Sequence, residues 1–466
     1  MQILFTNTYY QTRVEYTSLM SVIPPLDLAY CAALVRRCDL SFSVSLIDAN
    51  ALRLAFDAHI KKISSFNPDI IIFTAATHSI NAVKAIVEAL RKDELVTVLI
   101  GTHGSARPQE TLDEIPGLDI IVCGEPEYTV LDIVRSLKNN EPLDTIKGIA
   151  YREDGKVVMS EGRTSLVNVD LLPYPARDLL PNNKYFSPYS PRVTALQTTR
   201  GCPGRCKFCD SHLLYGNTIR TREPANIVDE IHECINHYGT RYFAIIDHTF
   251  TAKKKFVMEV CNKIIQRRLH TKIRWVCNTR VDLLNDAMLA LMKRAGCIQI
   301  GIGIEQAIDK RLAAVNKMIT EKQIEEAIIG IKRHGIIAMG YAIIGFPQDS
   351  RRDIEETKRK IFQLNPHTLQ LSFATPLPGT ELYEYCKGEN RILSNNWDDY
   401  VFLRKSIIKN DSLSTEELES LRRNILRSFY FRLNKMVSLL FFFLFKARVN
   451  YVNCCHAFMK IVCKLK

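Results

Sequence analysis

The residues with the plainest chemical capacity lie in one short stretch, Thr199-Arg200-Gly201-Cys202-Pro203-Gly204-Arg205-Cys206-Lys207-Phe208-Cys209. Three residues separate Cys202 from Cys206, and two separate Cys206 from Cys209. Three thiolates that close together, on a loop that Gly and Pro allow to wrap around a centre, suit a soft metal site. A structural zinc takes four protein ligands, and apart from His212 no Cys or His stands nearby at finger spacing. Three ligands leave one iron of a four-iron, four-sulfur cluster free of protein, where a substrate or cofactor can chelate it. Cys234, Cys261, Cys277, Cys297 and Cys386 are dispersed and read as buried apolar residues. Cys454 and Cys455 are adjacent, which is poor geometry for two ligands of one site.

Two alternating series of elements must position this loop. Up to about residue 140, strand-length apolar runs alternate with helix-period stretches: Gln2–Thr6, Ser43–Ile47, Asp69–Phe73, Leu95–Ile100 and Asp119–Val122. That pattern predicts a doubly wound parallel α/β sheet. The turns after its third, fourth and fifth strands carry Thr74 to Ser79, Gly101-Thr102-His103-Gly104 and Gly124-Glu125-Pro126, small and polar where such sheets bind ligands. A hairpin at 146–160 and a proline-punctuated stretch at 171–191 follow, the latter read as a linker along a surface. Strand candidates resume at Val193–Thr198, Tyr242–Ile246, Ile273–Cys277, Ile298–Ile302, Ile336–Ile344 and Thr368–Phe373, six β/α units of a barrel-like domain. The cysteine loop follows the first of them directly. The fold class is thus α/β: a doubly wound sheet (1–140), a hairpin and linker (141–191), a partial (β/α)6 barrel (192–385) and a helical carboxyl-terminal region (386–466).

The chain has 466 residues, 47% hydrophobic and 24% charged, which excludes disorder and a multi-span membrane protein. Its net charge of +12 is local, since residues 421–466 hold ten basic residues and no acidic one. A basic nucleic-acid-binding core is therefore not expected. The amino terminus opens into a strand-like run without a charged leader, so a reducing cytoplasm is the expected home.

With Phe208 in the aromatic slot before its last cysteine, the loop resembles the hallmark of the radical S-adenosylmethionine enzymes. The resemblance implies that S-adenosylmethionine chelates the open iron through its amino and carboxylate groups, and that one electron splits it to a 5′-deoxyadenosyl radical. Other segments follow the same family. Asp247 ends the second barrel strand where relatives carry an acidic residue, and a solvated turn carboxylate is the equal alternative. Glu305 closes Gly301-Ile302-Gly303-Ile304-Glu305, which looks like the family's Gly-Ile-Glu segment. Gly345 lies in a stretch similar to the strand whose backbone meets adenine. Phe208, Asp247, Glu305 and Gly345 are the expected S-adenosylmethionine contacts. Arg280 reads as a surface ion pair more readily than as a partner of the cofactor carboxylate.

The amino-terminal sheet resembles a cobalamin-binding, Rossmann-like domain, from Pro24-Pro25-Leu26-Asp27-Leu28-Ala29 at its first helix to the three turns named above. That likeness implies Ser79, Gly101, Thr102, His103, Gly124 and Glu125 as cobalamin contacts. The fourth-strand turn departs from the family pattern, with Ile100 where a first glycine usually stands. Asp57-Ala58-His59 lacks the glycine of the cobalt-ligating motif and falls inside a helix, so His59 reads as an ordinary helical residue and cobalt as lacking a protein histidine below it.

Together these resemblances imply a cobalamin-dependent radical enzyme that methylates an unactivated carbon of a small or lipid-like substrate, fed by a low-potential donor such as flavodoxin or ferredoxin. Ring closure or rearrangement without methyl transfer, as in anaerobic porphyrin cyclases, is the alternative. tRNA methylthiolation is the remote one, because Cys31, Cys38 and Cys123 lack the spacing of a second cluster. The basic tail 421–466 includes Met436–Phe445, too short to span a bilayer, and suggests peripheral membrane contact as one reading and a packed terminal helix as the other.

Overall fold

The computed structural model describes residues 1–8, 21–91, 94–163, 166–187, 189–432 and Lys435. In the first of two sheets β1 (Gln2–Thr6), β2 (Ser43–Ile47), β3 (Ile70–Thr74), β4 (Val96–Ile100) and β5 (Ile120–Val122) run parallel, in the order β2-β1-β3-β4-β5. Helices such as Leu26–Cys38 and Ile80–Leu90 supply the apolar layers packed against it. This double cover is why the strands are apolar throughout and do not alternate; Ile70 to Phe73 are all within 1% of complete burial. The winding reverses between β1 and β3, which places the ligand crevice outside the carboxyl ends of the strands.

The hairpin β6 (Ile149–Glu153) and β7 (Lys156–Met159) pairs antiparallel with β5, so this sheet has seven strands and continues past residue 140. The proline-rich stretch after it does not simply lie along a surface. Arg177 is buried and donates to Glu230 Oε1 at 2.5 Å, and the buried Tyr185 donates to Asp48 Oδ2 at 2.8 Å. These two residues tie it to the barrel and to the first sheet respectively.

The second sheet begins with β8 (Thr194–Leu196), followed by a two-stranded ribbon of β9 (Thr199–Arg200) and β10 (Arg220–Thr221). It continues with β11 (Tyr242–Ile245), β12 (Arg274–Thr279), β13 (Cys297–Gly303), β14 (Ile337–Ile344) and β15 (Thr368–Phe373). Apart from the ribbon, the six strands are parallel and lie side by side in chain order, an open six-stranded barrel. Along β14 Ala338, Gly340, Ala342 and Ile344 are buried, while Met339, Tyr341 and Ile343 are half-buried on the opposite, inner face.

Past the barrel, residues 389–414 run mostly as irregular chain with one bridge between Ile392 and Ile408. The helix Thr415–Tyr430 then starts at a capping box, where Ser414 accepts from the Glu417 amide and the Glu417 carboxylate accepts from the Ser414 amide. It covers the free edge of β15: the Tyr430 hydroxyl meets both the amide and the carbonyl of Leu369, each at 2.9 Å, and Arg422 Nε donates to the Leu371 carbonyl at 2.7 Å. The stretch Met436–Phe445, named above for membrane contact, lies outside the described residues. No helix among the described residues is long and apolar enough to cross a membrane.

Candidate functional site

The cysteine loop is closed at its base by the β9–β10 ribbon, in which Arg200 faces Arg220 and Thr199 faces Thr221. Gly201 has φ +89°, and a side chain there would collide with the Thr218 carbonyl that crosses it. Only glycine permits both. The Cys202 amide donates to the Gly216 carbonyl at 3.2 Å, the Lys207 amide to Val315 at 3.1 Å, and Asn316 Nδ2 to the Arg205 carbonyl at 2.8 Å. A side-chain carbon at Gly204 would lie 3.5 Å from Cys202 Sγ, 3.8 Å from Cys206 Sγ and 3.1 Å from Arg280 Nη1. Two thiols and a guanidinium thus share one small space.

Burial pushes the Cys206 thiol up, and the Lys317 ammonium and Arg280 pull against it, with Glu305 nearby. Burial also raises Cys209, whose Sγ lies 3.2 Å from Ser211 Oγ. Such thiols become thiolates when a metal takes the proton's place, and at Cys206 the two cations, themselves paired with Glu305 and Asp282, favour that form. Among the described residues no three Cys, His, Asp or Glu side chains stand close enough to hold one metal ion between them. A cluster offers a separate iron to each thiolate and does not require that convergence. The donor set therefore fits an iron–sulfur cluster.

The predicted S-adenosylmethionine contacts divide. Glu305, with φ +47°, lies in a strained turn just after β13 and pairs with Lys317 Nζ at 2.7 Å. Burial pulls Lys317 down, but Glu305 and Cys206 outweigh it and hold its pKa above the usual lysine range. Phe208 packs against Phe346, ring centroids 6.2 Å apart, and so joins the loop to the turn at Gly345. The Gly345 amide is already spent on Asp349 Oδ2 at 2.9 Å. Asp247 has partners of its own. It accepts from the Thr198 amide at 2.7 Å and from the Thr198 hydroxyl, and burial raises it to about 6. Its observed role is to fix the turn that leads into the ribbon.

Of the predicted cobalamin contacts, Gly101, Thr102 and Gly124 sit together at the carboxyl ends of β4 and β5. Ser105 Oγ links them, donating to the Gly101 carbonyl at 2.9 Å and accepting from the Gly124 amide at 3.0 Å. The space above Gly124 is open. His103 is fully buried with neither ring nitrogen hydrogen-bonded, and burial, reinforced by Arg107, lowers its pKa to about 3. An orphaned imidazole beside two glycine turns fits a domain that receives a large polar ligand. Ser79 spends its hydroxyl locally, on the Ala76 carbonyl. The Glu125 carboxylate is likewise occupied, by Arg220 Nη1 at 2.9 Å and the Val167 amide at 3.0 Å.

Sequence reasoning missed several residues that the fold brings here. Lys317 is one. Asn278 and Tyr341 are a second group, hydrogen-bonded on the inner face of the barrel. Glu127 and Arg200 are a third, paired across the two domains. Trp397 is the last: it meets His103 edge-on at 4.9 Å, lies under Arg107, and donates to Glu114 at 2.9 Å. No local pattern marks any of them, because each acquires its meaning from a distant partner.

Residues 196–361 match the model of the radical SAM superfamily, and residues 14–134 that of the B12 binding domain. An uncharacterized methyltransferase of Pyrococcus horikoshii is 34% identical over 411 residues, 88% of each chain. The anaerobic magnesium-protoporphyrin IX monomethyl ester cyclase of Rubrivivax gelatinosus is 30% identical over 94% of this chain and 79% of its own. In fold, the chain is similar to OxsB, a cobalamin-dependent S-adenosylmethionine radical enzyme, with a TM-score of 0.73 at 16% identity over the whole of this chain and 71% of that one. The chain belongs to the cobalamin-binding branch of the radical S-adenosylmethionine enzymes. Its cofactors are those of the branch: cobalamin, a [4Fe-4S] cluster and S-adenosylmethionine.

Proposed function

We propose that this enzyme transfers a methyl group to an unactivated carbon of a small-molecule substrate, with Cys202, Cys206 and Cys209 holding the cluster and the Gly101–His103 and Gly124 turns holding cobalamin. The observation that carries the reading is the 34% identity to a methyltransferase along 88% of both chains. When bound, the cluster supplies the electron that splits S-adenosylmethionine, and cobalamin carries the methyl group. The chain's own part is positional. Lys317 and Arg280 favour the thiolate form of Cys206, Glu305 orients Lys317, and Asn278 and Tyr341 give the barrel interior a polar pair for the substrate. The electron would come from a low-potential flavodoxin or ferredoxin. A basic tail at the membrane surface would suit a lipid-like substrate, and vesicle co-sedimentation with and without residues 421–466 tests that part.

A second reading is ring closure without methyl transfer, favoured by the 30% identity to the cyclase. The experiment that separates them gives S-adenosylmethionine with a deuterated methyl group to the anaerobically reduced enzyme and a metabolite extract. Methylation predicts 5′-deoxyadenosine together with one product heavier by a labelled methyl. 5′-Deoxyadenosine with an unlabelled, more unsaturated product would establish the cyclase reading.

A further inference from the structure

Both cobalamin turns reach across the domain boundary and grip the cysteine loop. After β5, Glu127 receives Arg200 at two points, Nη1 to Oε2 at 3.0 Å and Nη2 to Oε1. Two residues earlier, Glu125 receives both terminal nitrogens of Arg220. Arg200 and Arg220 are the facing residues of the ribbon that closes the loop. After β4, the short helix Thr102–Ala106 packs against the segment His212–Tyr215, which follows Cys209. Hence both strands of the ribbon and the segment beyond the cysteine run are held from the cobalamin domain.

The grip is dry as well as specific. The Arg200 and Glu127 side chains are only 2% and 1% exposed. The guanidinium stacks over Tyr215 at 5.0 Å and bonds Gln197 through Nε, so neither partner has water as an alternative. A loop and two turns joined in this way order together. A ligand that orders one side lowers the ordering cost met by a ligand on the other.

We propose that Glu127 and Glu125 are positioning residues that couple the two cofactor sites, so that cobalamin and the iron–sulfur cluster each tighten the other's binding. This rests on the assignment of the two sites given above. Coupling is reciprocal by linkage, so the factor is the same from either side, and couplings of this kind are commonly 5–150-fold.

The test uses the full chain under anaerobic conditions. The Kd for aquacobalamin is measured by absorbance titration on iron-free protein and on protein with the cluster reconstituted. The expected result is binding about tenfold tighter with the cluster present, and slower iron loss to a chelator when cobalamin is bound. In Glu127→Gln the ratio should fall to about twofold or less, and Arg200→Lys, which keeps the charge but loses the two-point contact, should lie between. If Glu127→Gln fails to fold, Glu125→Gln takes its place, since Arg220 is more exposed and its loss is better tolerated. Equal affinities with and without cluster in the parent would overturn the coupling. An undiminished ratio in foldable Glu127→Gln or Glu125→Gln would overturn the role of these carboxylates. Absence of cobalamin binding in every state would instead overturn the site assignment on which the coupling depends.

Discussion

The Tyr341 hydroxyl donates to Asn278 Oδ1 at 3.1 Å, and Gly301 lies directly beneath the pair. A side-chain carbon at Gly301 would collide with Asn278 Oδ1 and stand 2.6 Å from Tyr341 Cε2. Three strands thus contribute to one contact, β12 with Asn278, β13 with Gly301 and β14 with Tyr341. Gly301→Ala should cost about 1–3 kcal/mol by overpacking. Adding Asn278→Ala should recover part of that loss, because the two sites share one space. Urea unfolding of the singles and the double checks it, and simple additivity would count against the shared contact.

Cys202, Cys206 and Cys209 replaced together by alanine should leave a chain that does not retain iron or sulfide after anaerobic reconstitution, where the parent retains about four of each. Each replacement removes one thiolate from the same loop. Iron and acid-labile sulfide assays decide it, and parent-like content in the triple variant would refute the ligand assignment.

His59 Nε2 stands 2.9 Å from Thr6 Oγ1, and burial lowers its pKa from 6.5 to about 4. The unfolded chain therefore binds a proton that the folded chain refuses. Its contribution to stability is complete above about pH 6.5, shrinks as the pH falls, and is lost by about pH 4. Between pH 7 and pH 5 this one residue should account for about 2 kcal/mol. His59→Gln should accordingly narrow the gap between urea midpoints measured at those two pH values. An unchanged gap would show that His59 titrates normally in the fold.

Trp397→Ala should destabilise the chain by about 2 kcal/mol, from an aromatic contact with His103, a cation–π contact with Arg107 and the hydrogen bond to Glu114. Trp397→Phe should recover the ring contacts and not the hydrogen bond, and so fall between the two. Urea unfolding followed by circular dichroism reads both. The same loss in both variants would mean that only the Glu114 bond matters.

Both sheets were legible because buried parallel strands are written as short apolar runs, and Gln2–Thr6, Ser43–Ile47 and Thr368–Phe373 appear in the structure with the bounds the sequence suggested. The cysteine loop was legible because a motif needs no tertiary information. Asp247 shows the limit. Its place at a strand end suited a cofactor contact equally with a structural role, and only the fold shows its oxygens spent on Thr198. The interdomain pairs were invisible for a different reason. Arg200 and Glu127 are 73 positions apart, Trp397 and Glu114 are 283 apart, and charge or aromaticity alone does not name a partner at that distance. The hairpin at β6 and β7 was read as a hairpin, but which sheet it extends depends on the exposed edge of β5.

The helix Thr415–Tyr430 does more than lengthen the barrel domain. An open barrel has two border strands, and a bare border is a template on which another chain can build. At β15 the template is blocked without any further strand: Tyr430 occupies both backbone groups of Leu369, and Arg422 takes the carbonyl of Leu371. A peptide seeking to join that border by strand addition would have to displace a phenol and a guanidinium first. The barrel can therefore stay unclosed at this border and still resist strand pairing there.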